Sequence, residues 1–278
     1  MATAFSHPLA HSLNPRRAAH APSRTGRLRV ATYNIHKGVR GIGPGKRLEI
    51  HNLGQGIEAM EADLVCLQEV RLFHHCEARR FQRTQLGWPA QGQAEFLAPQ
   101  GYEVAYRSNA ITRHGEHGNA LLSRWPLGEI GHHDVSDHRF EQRGLLHVPV
   151  AWGGETVHVV VVHFGLVHAS RVRQVERLAT MLREEVPAHE PLLVAGDFND
   201  WGERLDESMG RIGLHRACAR RGVLPSPPTF PARVPVFALD RVYLRGFRCE
   251  AALAPRGTAW ARMSDHLPLV VELAREGG

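Results

Sequence analysis

"PLLVAGDFND", residues 191–200, changes character halfway along. Pro191 to Ala195 are small or apolar residues of the kind that fill a buried strand. Gly196 then leads into Asp197, Phe198, Asn199 and Asp200. Burying a carboxylate costs several kcal/mol unless it is paired or holds a metal. A core strand that delivers an acid and an amide, two residues apart, at its exit must therefore aim them at something.

The same pattern recurs along the chain. "VATYN" ends in Asn34, "LVCLQE" ends in Glu69, and "VVVVHF" delivers His163 after four valines. "LDRVYL" begins with Asp240, and "SDHLPLVV" opens with Asp265 and His266. Each residue alone has a plain structural explanation: a capping Asp, a turn Asn, a satisfied core His. Together, the runs point to a site built where strands end, because a rigid sheet with shaped loops is where α/β proteins place their chemistry.

Divalent-metal phosphoryl transfer is the chemistry these residue types share. Mg²⁺ takes hard oxygen ligands and needs only one or two carboxylates from the protein. Glu69 and Asn34 suit that role. Asp197 could deprotonate a water, with Asn199 on the same face to hydrogen-bond the water or the phosphate. His266 could stabilise the developing phosphoryl charge, with Asp240 fixing its tautomer.

Around these residues, short β-type runs recur at 28–34, 63–69, 102–107, 119–124, 145–151, 156–164, 191–197, 240–246 and 267–273. Several are apolar on both faces, so both sides of the sheets must be covered. Residues 170–186 carry one apolar stripe, which predicts a helix with Ser170 as its N-cap. Residues 47–62 predict a weaker helix. The stretch from Arg71 to Gln100 reads as loop with a short helix, with Phe73, Phe81, Trp88 and Phe96 among Arg79, Arg80 and Arg83. No linker or composition break divides the body, so one α/β domain with two sheets under outer helices is expected.

The chain of 278 residues is long enough to bury a full core, and no apolar run reaches the length of a membrane span. Of the net charge of +6, five charges lie in residues 1–29, which hold no acid, leaving about +1 for the body. Residues 1–28 lack a continuous apolar core of the secretory kind and are expected to form a disordered basic leader ahead of a single catalytic domain, 29–278. The four cysteines show no CxxC spacing, and a reducing cytoplasm is the expected location. Arg outnumbers Lys 32 to 2 alongside much Ala, Gly and Pro, a bias that looks like genome composition and is not read as arginine-driven recognition. The clusters His74-His75-Cys76, His114 with His117, and His132-His133 with His138 match no standard zinc spacing and are expected by chance among 19 histidines.

The blocks "YNIHKG", "DLVCLQEV", "GDFN", "LDRVYL" and "SDHLPL" together resemble the endonuclease/exonuclease/phosphatase superfamily, from Arg29 to about Leu273 and in the family's order. The resemblance implies a four-layer α/β sandwich: two face-to-face mixed sheets flanked by helices, in the manner of DNase I. It implies Mg²⁺ or Mn²⁺ as cofactor, with Asn34, Glu69 and Asp265 toward the metal. Asp197, Asn199, Asp240 and His266 are the implied catalytic residues. "VVHFGL" matches the block that carries a catalytic His in the DNase I and sphingomyelinase branches, making His163 a further candidate. "GLVHASRVRQVERL" resembles the helix that follows, giving Arg171 and Gln174. Asn119, in "GNALLSR", occupies a family strand that often borders the cleft, and Arg171 and Asn119 are taken as substrate-binding. Tyr102 and Tyr106 lie in an ordinary strand pattern, with no counterpart of the tyrosine used by abasic-site nucleases.

The expected activity is hydrolysis of a phosphodiester by a monomer. Nucleic acid is favoured, a phospholipid or its head group is the alternative, and a binding module without turnover is a further one. A nuclease should place Arg side chains along a groove flanking the cleft, whereas a lipid enzyme should show an exposed apolar rim.

Overall fold

The computed structural model describes residues 26–82, 87–138, 141–218 and 226–276. Most of the basic leader, and Arg83, lie outside the described residues. Among the described residues, no helix is long and apolar enough to cross a membrane.

Strand β1 (Arg27–Asn34) shows how the core is built. Successive side chains of a strand point to opposite faces. Leu28 and Val30 accordingly enter one buried cluster, while Ala31 and Tyr33 enter another. The valines of β9 (Glu155–His163) divide in the same way: 157, 159 and 161 face one cluster, and 160 and 162 another.

The first sheet runs in spatial order β13 (Phe247–Leu253), β14 (Leu269–Arg275), β1, β4 (Leu64–His74), β6 (Gly115–Ser123) and β5 (Glu103–Thr112). The second runs β11 (His215–Arg216), β12 (Asp240–Arg245), β10 (Leu192–Asp197), β9, β8 (Gly144–Trp152) and β7 (Gly131–Asp134). Strands β2 (Val39–Arg40) and β3 (Arg47–Leu48) form a small separate ribbon. Residues from the inner faces of both sheets make one core. Helices α1 (Ile50–Met60), α3 (Gln93–Leu97) and α6 (Trp260–Met263) cover the outside of the first sheet. Helices α4 (His168–Glu185) and α5 (Leu205–Arg211) cover the outside of the second, and α2 (His75–Phe81) follows directly on β4. The result is a four-layer α/β sandwich.

Each sheet has a parallel pair near its centre: β1 with β4, and β9 with β10. Parallel neighbours finish at the same edge, so Asn34 pairs with Gln68, one residue before Glu69, and His163 pairs with Asp197. Antiparallel neighbours begin where those strands end. Asp240, the first residue of β12, thus lies opposite Asp197, and Asp265 and His266 shortly precede β14, the antiparallel partner of β1. This topology explains why the functional residues close some runs and open others.

Three expectations change. Arg27 and Leu28, expected in the disordered leader of 1–28, open β1 and pair with β14. The α4 helix starts at His168, with Val167 at the N-cap, and the Ser170 hydroxyl donates to Asp137 Oδ2 at 2.6 Å instead of capping. The stretch after Arg71 holds more regular structure than a loop with one short helix: β4 continues to His74, and two short helices, α2 and α3, follow with irregular chain around them. Register shifts between Leu67 and Val70 and again between Arg71 and His74 break the strand alternation there. A bulge of this kind hides a strand from a period-two reading.

Candidate active site

Asp197 Oδ2 is the centre of the site. Asn34 Nδ2 donates to it at 3.1 Å, and His163 Nε2 and His266 Nε2 lie 3.6 and 3.7 Å away. The other carboxylate oxygen accepts the Asn199 backbone N–H at 2.9 Å. All five residues are buried. Gly196 is what allows β10 to arrive here, because a Cβ at that position would overlap the Val162 carbonyl of β9.

The two imidazoles are held in opposite states. His266 Nδ1 donates to Asp240 Oδ2 at 2.8 Å. Burial would lower the affinity of His266 for a proton, but the Asp240 and Asp197 carboxylates override it and raise the group well above its ordinary value. His163 has no such partner. Burial, reinforced by Arg143, pushes it down to about 4 despite Asp197 and Glu69. One ring is therefore a cation at neutral pH and the other is neutral.

Glu69 emerges from the β4 bulge with a left-handed φ of 57°. Four of the six non-glycine residues with positive φ among the described residues are His36, Lys37, Glu69 and Asn199, and all lie in this region. Such conformations cost about 1–3 kcal/mol each and cluster where function requires them. Glu69 Oε2 is 2.9 Å from Lys37 Nζ. Burial would raise the Glu69 carboxyl, but Lys37, with His163 and His36, holds it well below the usual carboxylate range. His36 Nδ1 lies 3.2 Å from Asp265 Oδ1. Burial would also raise the Asp265 carboxyl; the hydrogen bond from His36 and the charge of His266 bring it below its ordinary value.

Whether this corner suits a divalent cation depends on its donors. Glu69 Oε2 is buried and its one neighbour of opposite charge is the Lys37 ammonium, with no N–H of the backbone or of another side chain turned to it among the described residues. Glu69, the Asn34 amide oxygen and Asp265 make an all-oxygen donor set, the kind that Mg²⁺ and Mn²⁺ take. The residues fit such an ion.

Asn119 and Arg171 are placed differently from the others. Asn119 Nδ2 donates to the carbonyls of Gly144 and Val161 at 3.0 and 3.1 Å, tying the first sheet to the second. Arg171 Nη1 donates to the carbonyls of Gly165 and Leu166 at 3.1 and 2.7 Å, and Nη2 lies 3.7 Å from Asp200. Gln174 Oε1 accepts the Gly165 N–H at 2.9 Å. The structure buries all three among backbone partners just behind His163.

Sequence reasoning missed Lys37 and His36, although both stand in the "YNIHKG" block. It also left Asp200 and Arg241 without a role. Arg241, fully buried, donates to Asp200 Oδ2 at 2.8 Å and to the Asp200 carbonyl at 2.7 Å. The signal was available: on β12 Arg241 must point away from Asp240 into a covered face, and a buried guanidinium needs an acid.

Beside Glu69 opens a cavity of about 420 Å³, lined by His36, Lys37, Lys46, Arg71, His74 and His117 among others, with Glu116 as its acid. On the His266 side, Phe230 packs on the imidazole at 4.9 Å and touches Trp201, which also meets Phe237.

A two-sheet sandwich whose strand ends gather carboxylates, amides and imidazoles has the DNase I-like architecture of phosphoester hydrolases. The chain belongs to the endonuclease/exonuclease/phosphatase family, whose sequence model matches residues 31–266. It is 36% identical over 250 residues to Escherichia coli K12 YbhP, covering 88% of this chain and 96% of that one. Its fold matches the endonuclease/exonuclease/phosphatase of Beutenbergia cavernae, with TM-score 0.67 and 22% identity over 90% of this chain and 72% of that one. It also matches the human Nocturnin catalytic domain, with TM-score 0.66 and 20% identity over 90% and 95% of the two chains. Members of the family are generally hydrolases acting on phosphoester bonds.

Proposed function

We propose that this protein is a divalent-cation-dependent phosphodiesterase whose substrate class is nucleic acid. The observation that carries the reading is the single carboxylate oxygen, Asp197 Oδ2, approached by the Asn34 amide and by two imidazoles, of which one, His266, is also paired with Asp240. Asp197 accepts the proton of the attacking water, its orientation held by Asn34 and by the Asn199 N–H. His266, charged through its pairing with Asp240, directs Nε2–H at the phosphoryl oxygens. His163, neutral, donates a hydrogen bond from Nε2 to the charge developing on the leaving oxygen. Mg²⁺ or Mn²⁺ held by Glu69, Asn34 and Asp265 would supply charge neutralisation at the phosphoryl group. Arg171, Gln174 and Asn119 act by positioning the His163 strand and the loop after it.

The cavity beside Glu69 supports a substrate with further phosphates next to the one cleaved, because its Lys37, Lys46 and Arg71, now paired with Glu69 and Glu77, are the groups such phosphates would engage. The Nocturnin catalytic domain was solved with a bound sulfate, a tetrahedral oxyanion of the kind proposed for this site. A second reading rests on exposed apolar residues near His266. Trp201 is 43% exposed, Phe237 39%, Val234 68% and Val236 62%, and such a rim suits a phospholipid.

Hydrolysis assays with Mg²⁺ and Mn²⁺ on DNA, RNA, sphingomyelin and phosphoinositides separate the two. The expected result is cation-dependent cleavage of a nucleic acid that Asp197→Asn lowers by about 10²–10⁴-fold. Cleavage of a phospholipid alone replaces the nuclease reading with the lipid one, and no cation-dependent hydrolysis of any ester overturns both.

A further inference from the structure

A second group of chemically active side chains lies away from the cleft, on the outer face of the second sheet. His133 of β7, His147 of β8 and Glu185, the last residue of α4, each direct one donor atom to a common point, all within 4.8 Å of one another. Glu185 Oε2 is 3.2 Å from His133 Nε2 and 3.2 Å from His147 Nδ1. His133 Nε2 is shielded from solvent and has no hydrogen-bond partner.

Donor and acceptor accounting shows what the group lacks. Behind His147, its Nε2 lies 2.8 Å from His158 Nδ1, and His158 Nε2 lies 2.5 Å from Glu190 Oε2. A carboxylate only accepts, so His158 carries its proton on Nε2. With neutral rings, His158 Nδ1 then accepts from His147 Nε2–H, and His147 Nδ1 is left bare. That lone pair faces the Glu185 carboxylate, itself an acceptor, beside the unpartnered His133 nitrogen. Acceptors that converge in this way call for a positive centre, which is either one further proton on the His147–His158 pair, making His147 Nδ1–H the donor to Glu185, or a metal ion. The Glu190–His158 chain is the kind of support that fixes the tautomer of a metal-ligating imidazole.

We propose that His133, His147 and Glu185 bind one Zn²⁺ ion, separate from the cation of the cleft. Two imidazole nitrogens and a carboxylate oxygen are donors for Zn²⁺ rather than for Mg²⁺. Tetrahedral ligands at about 2.0–2.2 Å from zinc lie about 3.3–3.6 Å from one another. The two spacings of 3.2 Å to Glu185 are close to that edge. The end of α4 adds the negative pole of its dipole, which favours a cation there. Glu185 is part-exposed, which leaves a fourth position for water. The ion fastens the edge strand β7 and its neighbour β8 to the end of α4. Residues 133, 147 and 185 come from three elements, so no sequence spacing announces the site.

Chelator-stripped full-length protein, titrated with Zn²⁺ by calorimetry and followed by thermal denaturation, tests this. Wild type in excess Mg²⁺, and the cleft variant Glu69→Gln, should each take up one equivalent of Zn²⁺ and gain thermal stability. His133→Ala and Glu185→Gln, both at part-exposed side chains, should lose that equivalent and the gain. Co²⁺ in place of Zn²⁺ should give the visible absorption of a four-coordinate site in wild type only. Glu190→Gln keeps every ligand and should weaken Zn²⁺ about 10–100-fold through the missing support. Zn²⁺ uptake unchanged in His133→Ala and Glu185→Gln, or none by folded wild type, overturns the proposal. The group is then a cluster of hydrogen bonds that holds no metal.

Discussion

At the scale of single residues, the Asp240–His266 pair links catalysis to stability. The folded-state value of His266 lies above that of the unfolded chain, pushed up to about 10. Its pairing therefore stabilises the metal-free fold fully below the ordinary histidine value of about 6.5, and that contribution is lost as pH rises through about 10. Urea denaturation in chelator should show wild type losing stability across that window, with Asp240→Asn flatter and lower at neutral pH. The same variant should lower turnover while its circular dichroism remains native. A wild-type profile parallel to that of Asp240→Asn would reduce the pair to a neutral hydrogen bond. His163 has the opposite sign: pushed down to about 4, it is a poor proton store at neutral pH. His163→Ala should therefore lose activity by similar factors on p-nitrophenyl and on alkyl phosphodiesters. A much larger loss on the alkyl ester would make His163 the general acid instead.

At the scale of elements, the parallel pairs β1–β4 and β9–β10 bring the site residues to one edge, and small side chains let those strands meet. Gly196→Ala would push a methyl group into the Val162 carbonyl, at a cost of about 1–3 kcal/mol. Its urea midpoint should fall accordingly, and an unchanged midpoint would mean that β9 and β10 can separate freely. The strand runs and their polar ends were legible in the sequence because alternation and terminal acids are local signals. Asp197, Asp240 and His266 could be read in this way. Lys37 could not: its bearing on Glu69 depends on a left-handed turn and a bulge, and neither has a period. Arg71 illustrates the same limit. It reads as a free cation at the start of a loop, yet it is buried in the extended β4 and paired with Glu77. Ser170 offers a capping hydroxyl, but Asp137, 33 residues earlier, takes it. Long-range partners of this sort have no local signature.

At the scale of the whole molecule, charge is concentrated rather than spread. The body carries about +1 of the net +6, and the cavity beside Glu69 gathers Lys37, Lys46 and Arg71 together with the acids Glu69, Glu77 and Glu116 that pair with or face them. Helix α2 extends that surface: Glu77 anchors it to Lys46 and Arg71, and Arg80 Nη2 donates to the Pro44 carbonyl at 2.9 Å. Arg80 thus reaches the 43–45 turn that borders the cavity, and Arg79 is its neighbour in the last turn of α2. Any truncation of the basic leader has to stop at residue 25. Arg27 already belongs to β1, and Arg29 donates to Glu272 at 2.6 Å and to the Met60 carbonyl at 2.9 Å. Removing residues 1–25 takes away Arg16, Arg17 and Arg24. On duplex DNA, every phosphate that is no longer neutralised lowers the slope of log K against log salt by about 0.9, so that slope should shrink by at most about 3. Turnover of a small phosphodiester should not change. Arg79→Glu with Arg80→Glu acts at the cavity rim instead, where a nucleic-acid backbone would run past the scissile phosphate. The double variant should remove most DNA cleavage at physiological salt and leave hydrolysis of bis(p-nitrophenyl) phosphate near the wild-type rate. Equal losses on both substrates would mean that the reversal damages the site through α2 and Glu77. Equal retention would move the polyanion path to another face of the molecule.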